Sequence, residues 1–172
     1  MEYNLHPIVV HFPIALLSIY SVIKILPFKK WLPEIPWRDI ERLLLIIGVV
    51  GVFASLSTGE IAERLTSPDH DLVEAHSTFA TLTAIFYVLL LAGEIICCAN
   101  NKLILFFKKY ILVGKILNIL EKTLCHKRIS AILALFGLIS IFVTGLLGGV
   151  LVHGPTVDPT APFVLKILGI EY

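Results

Sequence analysis

The sequence predicts an all-α integral membrane protein: an antiparallel up-down four-helix transmembrane bundle, with an amphipathic helix on the cytoplasmic interface between the third and fourth spans. Three observations lead there. The chain of 172 residues is 57% apolar and 16% charged, with a mean hydropathy of +0.90, outside the range of ordinary water-soluble domains. Four segments are apolar over the roughly 20 residues that a helix needs to cross a hydrocarbon core. None shows the alternation of a barrel strand, so each must satisfy its backbone hydrogen bonds internally, as a helix.

The spans are expected at about 7–27, 41–64, 73–97 and 129–152, within a single membrane domain covering 1–172. The first contains Lys24, near enough to the end to snorkel. The fourth, ISAILALFGLISIFVTGLLGGVLV, has no charge. Segment 102–124 is interrupted by Lys108, Lys109 and Lys115 and reads as the interfacial helix. If it crossed instead, the fourth span would be inverted. Residues 153–172 form a tail.

Charge sets the orientation. Lys24, Lys29, Lys30, Arg38, Arg42, Lys102, Lys108, Lys109, Lys115, Lys122, Lys127 and Arg128 fall on one side, leaving only Arg64 and Lys166 on the other. The positive-inside rule places the first group in the cytoplasm and both termini outside. MEYNLHP has no basic n-region and no cleavage site follows, so the first helix is expected to stay. Cys97, Cys98 and Cys125 then lie on the cytoplasmic side, where reduced thiols are expected and a structural disulfide is not. A metal site built from these three and His126 lacks the usual ligand spacing.

Five of six histidines gather at the opposite face: His6, His11, His70, His76 and His153. Glu60 and Arg64 join them from the end of the second span. Ionisable groups in a membrane bundle are costly and so become functional candidates. DLVE, 71–74, reads as a variant capping box with Asp71 as N-cap, which puts His76 five residues into its helix. With His6 as the cap of the first helix and Pro7 at its first position, His11 is five residues in as well. Both then lie roughly 7–8 Å below the rim as an inner tier, with His6 and His153 as an outer tier. His6 and His11 stand about 140° apart around the helix and cannot share one target. Pro13 frees the carbonyl of Val9 and permits a bend. Gly145 and Gly149 form a GxxxG pattern, suited to close helix packing or to a flat cofactor. No GxSxG context marks a hydrolase nucleophile.

HPIVVHFPIALL (6–17), STGE (57–60), EAH (74–76) and TGLLGGVLVHG (144–154) resemble the prokaryotic membrane family known as domain of unknown function 2231. The likeness runs in order through all four spans. His6, Pro7, His11, Pro13, Gly59, His76, Gly148, Gly149 and His153 fall on positions similar to the family's motifs. Leu146 stands where relatives commonly have histidine, and Leu151 and Val152 replace part of a Tyr-x-His-Gly ending. The resemblance implies haem b, one or two, with electron transfer as the activity.

Low-spin haem iron takes two neutral imidazoles, which His11 and His76 could present at equal depth. On that expectation His6 and His153 serve a second haem or contact propionates, Arg64 meets a propionate, and Glu60, Thr78 or freed carbonyls orient the axial rings. Expected partners are the lipid bilayer and a redox protein or quinone, with a homo-oligomer or respiratory complex as the setting, and no nucleic acid. A metal-binding or ion-translocating protein using the same His/Glu cluster, and a structural subunit, are the competing readings.

Overall fold

The structure, a computed structural model, describes residues 4–66, 69–98, 111–156 and 158–170. Among the described residues seven helices follow one another: α1 (His6–Ile25), α2 (Phe28–Trp31), α3 (Trp37–Thr66), α4 (His70–Cys98), α5 (Ile111–Leu124), α6 (Lys127–His153) and α7 (Ala161–Leu168). Among the described residues there is no strand. Helices α1, α3, α4 and α6 are long and apolar enough to cross a membrane, with mean hydropathies between 2.0 and 2.4. Of the expected interfacial helix at 102–124, the part from 111 onward is α5, and 102–110 lies outside the described residues.

Local chemistry sets the helix ends. Asn4 Oδ1 accepts the His6 N–H at 3.1 Å, so α1 opens at His6 itself with Pro7 just inside. Leu26 is extended ahead of Pro27 and stops it. The start of α4 departs from expectation: Asp69 Oδ1, at 3.0 Å, takes the Leu72 N–H, and Asp71 is exposed beside His70. Asp69 has the N-cap spacing, three residues before its donor, so the box expected on Asp71 and Glu74 does not form. After α6, Gly154 adopts φ 82° and ends the helix. Asp158 Oδ1 then accepts from both the hydroxyl (2.6 Å) and the N–H (2.7 Å) of Thr160, which hold its carboxyl below its ordinary pKa. That turn brings Ala161 and Leu165 of α7 onto Leu72, Leu146, Leu147 and Val150.

Glycines decide how the long helices meet. A Cβ on Gly48 would fall 2.3 Å from Leu17 Cδ2, one on Gly51 3.2 Å from the Pro13 ring, and one on Gly59 3.4 Å from His6 Cε1. Positions 48, 51 and 59 share one face of α3, and 6, 13 and 17 share one face of α1. The start of α1 therefore lies against the end of α3, and at the other end Lys24 Nζ pairs with Glu41 at 3.3 Å. Lys24 thus has a protein partner in addition to any snorkelling. On the other side of the bundle a Cβ on Gly137 would fall 2.9 Å from the Tyr87 ring and one on Gly148 3.2 Å from His76 Cε1. Gly145 has nothing within 4 Å, so within the chain the expected GxxxG approach is not made there.

The centre is polar as well as apolar, and its hydroxyls are paired. Tyr20 and Tyr87 meet edge to face with centroids 6.2 Å apart, and Tyr87 Oη lies 2.7 Å from Ser21 Oγ. Such pairing is what a low-dielectric interior requires of a buried hydroxyl. Outward, Ile8 (71% exposed) and Phe12 (70% exposed) begin belts of large apolar side chains suited to hydrocarbon.

One expectation fails outright. Cys97 and Cys125 are joined in a disulfide, with Cα atoms 5.9 Å apart, and only Cys98 is a free thiol. The cause is the return of α5 to α4: Leu124 packs on Gly93, with 3.0 Å between its Cβ and the glycine's would-be Cβ, which delivers the next residue, Cys125, to Cys97. With two sulfurs bonded to each other, a Cys97, Cys98, Cys125 and His126 metal site is not assembled.

Two substitutions test the packing by unfolding in detergent micelles. Gly48→Ala forces a methyl into buried Leu17 and is expected to cost about 1–3 kcal/mol, whereas Gly145→Ala, facing open space, should change stability by no more than about 0.5 kcal/mol. Tyr87→Phe strips Ser21 of its partner and should cost about 0.6–1.7 kcal/mol, the scale of hydrogen bonds between membrane helices.

Candidate functional site: a histidine pair between helix ends

His6 sits in the first turn of α1, on the stripe it shares with Pro13 and Leu17, and so turns toward α3. Its Nδ1 lies 3.0 Å from Thr58 Oγ1. The single proton of that hydroxyl is directed at the carbonyls of Ala54 and Ser55, both at 3.1 Å. With that proton on the α3 backbone the Thr58 oxygen accepts and His6 donates Nδ1–H; with it turned to the ring the roles reverse. His76, in the second turn of α4, has its Nδ1 3.0 Å from the carbonyl oxygen of Thr144 on α6. A carbonyl only accepts, so His76 also donates Nδ1–H. The Thr144 carbonyl thus fixes the tautomer of a neutral His76 and leaves it an Nε2 lone pair, and His6 matches it when Thr58 keeps its proton on the α3 backbone.

The two rings are neighbours, with centroids 6.4 Å apart and planes at 83°. Gly59 stands beside one ring and Gly148 beside the other, each where a side chain would press on Cε1. A metal–imidazole bond is about 2.0–2.1 Å, so two imidazoles on opposite sides of one ion have centroids roughly 6–6.5 Å apart. The observed separation is of that size. The Nδ1 contacts to Thr58 and Thr144 are of the kind that orient a ligating histidine and fix its tautomer.

The remaining candidates stand elsewhere. His11 was expected opposite His76, but it is exposed on another face of α1, its Nδ1 against the carbonyl of Pro7 one turn back. His6 takes the inner position instead. The reason is helix length: α1 has 20 residues and α3 has 30. His6 is level with Gly59, and α3 continues seven residues further to Thr66, about 10 Å. Depth counted from each helix's own first residue therefore misplaces α1 relative to its neighbours. Glu60 and Arg64 are exposed on that protruding end of α3, and His153 is exposed at the last turn of α6. His70 is exposed within 3.9 Å of Asp71 and Glu74, and His126 lies exposed at the other end of the bundle.

Sequence reasoning did not select Thr58 or Thr144. Both occur in a Thr-Gly step near the end of a long helix, Thr58-Gly59 and Thr144-Gly145, and that recurrence is the available signal. Among the described residues no group of three or more His, Cys, Asp or Glu could hold a metal ion. Comparison with known proteins returns no match, whether against family profiles, curated proteins or solved structures.

Proposed function

We propose that the chain is a b-type haem protein of a prokaryotic cell membrane, an up-down four-helix transmembrane bundle with both termini extracytoplasmic, that transfers electrons near the outer face to a redox protein or quinone. The supporting observation is the His6–His76 pair: two imidazoles from different helices, centroids 6.4 Å apart, His76 giving Nδ1–H to the Thr144 carbonyl and His6 with Nδ1 3.0 Å from the Thr58 hydroxyl. The donor set fits the group. A bare Zn²⁺ site calls for about four ligands, whereas haem iron brings four macrocycle nitrogens and takes two axial ones. This favours haem over the metal-ion and ion-translocation readings.

In this reading His6 and His76 would hold the haem iron, and Thr58 and the Thr144 carbonyl would hold their rings in register. Gly59 and Gly148 keep side chains away from the ring edges. Arg64, at the outer end of α3, is the cation on hand for a propionate. Bound haem would supply a reversible one-electron iron couple. The positive-inside rule places the Lys24, Lys29, Arg38 and Arg42 end of the bundle in the cytoplasm, which puts the histidine pair outside.

The visible spectrum tests this directly. Protein purified after expression with haem available should show a Soret band and, after dithionite, a sharp α-band. His6→Ala and His76→Ala should each abolish the low-spin spectrum, while His11→Ala and His126→Ala leave it unchanged. Normal spectra in both His6→Ala and His76→Ala would remove the assignment. Thr58→Val should keep the fold and weaken haem binding by about 10–100-fold, the usual effect of losing a ligand's orienting partner.

A further inference from the structure

The other end of the bundle holds a second cluster of reactive groups, independent of any haem. Cys98 closes α4, about 33 Å along that helix from His76. Its thiol donates to Glu94 Oε1 at 3.0 Å. Its sulfur accepts from Arg42 Nη2 at 2.9 Å and from Arg38 Nη2 at 3.2 Å. Arg42 in turn holds Glu94 through Nε and Nη2, at 3.1 and 3.0 Å. A nucleophile, a proton acceptor within reach, a cation orienting that acceptor and positive charge at the attacking atom are the parts of an activated thiol site. The adjacent residue, Cys97, is in the disulfide to Cys125.

From this cluster we infer that Cys97, Cys98 and Cys125 form a thiol–disulfide exchange centre, in which exposed Cys98 is the thiol that meets a low-molecular-weight disulfide. In the reduced chain, Cys98 gives its proton to Glu94 and its thiolate attacks one sulfur of the incoming disulfide. A mixed disulfide forms, and the other half leaves as a thiolate that collects the proton. Cys125 thiolate then attacks the Cys98 sulfur, and the second half leaves as thiol. Cys97 thiolate finally takes over the bond to Cys125, returning Cys98 to the free state seen here. Two chain thiols become one disulfide and the incoming disulfide becomes two thiols, with two electrons and two protons passed to it. The reverse sequence reopens the bond.

Location supports cycling over a permanent staple. This end carries the arginine and lysine side chains that the positive-inside rule assigns to the cytoplasm, where mesophile disulfides are usually transient and catalytic or redox-sensing. The bond also ties α5 to α4, beside the packing of Leu124 on Gly93 and the 2.9 Å bond from Ser130 Oγ to the Leu124 carbonyl.

Oxidised glutathione is the probe, applied to the full chain in nanodiscs after reduction with dithiothreitol. Closure of the Cys97–Cys125 bond, followed by quenching with maleimide and peptide mapping, should be slower by about tenfold or more in Cys98→Ser and Glu94→Gln. In Cys125→Ser the glutathione adduct should accumulate on Cys98. Unchanged helix content by circular dichroism in each variant separates this from misfolding, and Glu94→Gln retains all three sulfurs. Closure of Cys98→Ser at the wild-type rate, an adduct on Cys97 instead, or a folded chain whose bond resists dithiothreitol would each overturn the inference.

Discussion

The contact on which the site depends is the close approach of α1 to α3. Three α3 glycines, Gly48, Gly51 and Gly59, receive Leu17, Pro13 and His6 in turn. Gly48 has no tolerance, since any Cβ would overlap the buried Leu17 side chain. The register set there determines which residue of α1 comes level with Thr58. Shifted by one helical turn, His6 would lose its hydroxyl partner and Lys24 would lose Glu41. In a hydrocarbon surrounding, apolar side chains gain nothing by leaving lipid for protein, so intimate packing through small residues and interhelical polar pairs does the work.

Polar pairing then fixes what packing alone leaves free. An imidazole in a low-dielectric setting has one donor and one acceptor when neutral, and an unmatched partner is expensive. The Thr144 carbonyl has no proton to give, so it imposes the tautomer of a neutral His76, while the Thr58 hydroxyl can match His6 in either tautomer. Tyr87 and Ser21 show the same logic in the centre, where each hydroxyl meets the other at 2.7 Å and Tyr87 also reaches the Leu17 carbonyl at 3.4 Å.

The four long apolar helices were legible because hydropathy is a property of the local window. The histidine-rich face was legible too, because the residues flanking four spans fall at one end or the other once 102–124 is read as not crossing. What failed depended on relations between helices. His11 was favoured over His6 by counting depth from separate starting points, and unequal helix lengths break that count. The DLVE pattern points to Asp71 as the cap, although Asp69, two residues earlier, has the better-placed side chain. The Cys97–Cys125 bond was discounted on compartment alone, and nothing local announces that Leu124 packs on Gly93. Residues 102–110, where part of the interfacial helix was expected, lie outside the described residues.

A periodicity in the sequence could have chosen His6. Lys24 lies 24 − 6 = 18 residues after His6, and Glu94 lies 94 − 76 = 18 residues after His76. Eighteen residues are five full turns, so each pair occupies one helix face, about 27 Å apart. On α1 that face holds Pro13 and Leu17 between the ends; on α4 it holds Thr83 and Tyr87, both buried. His11 shares its face with no inward residue of this set. The span of about 27 Å is close to the roughly 30 Å of a bilayer's hydrocarbon core. A stripe with histidine at one boundary, hydroxyls within and an ion-paired residue at the other is the pattern of an interior face, since polar groups on a lipid-facing stripe would meet hydrocarbon unpaired. Matching stripes of equal length on α1 and α4 bring His6 level with His76 only if their opposite ends, Lys24 and Glu94, also come level. The Lys24–Glu41 and Arg42–Glu94 pairs place both on adjacent residues of α3, as that register demands.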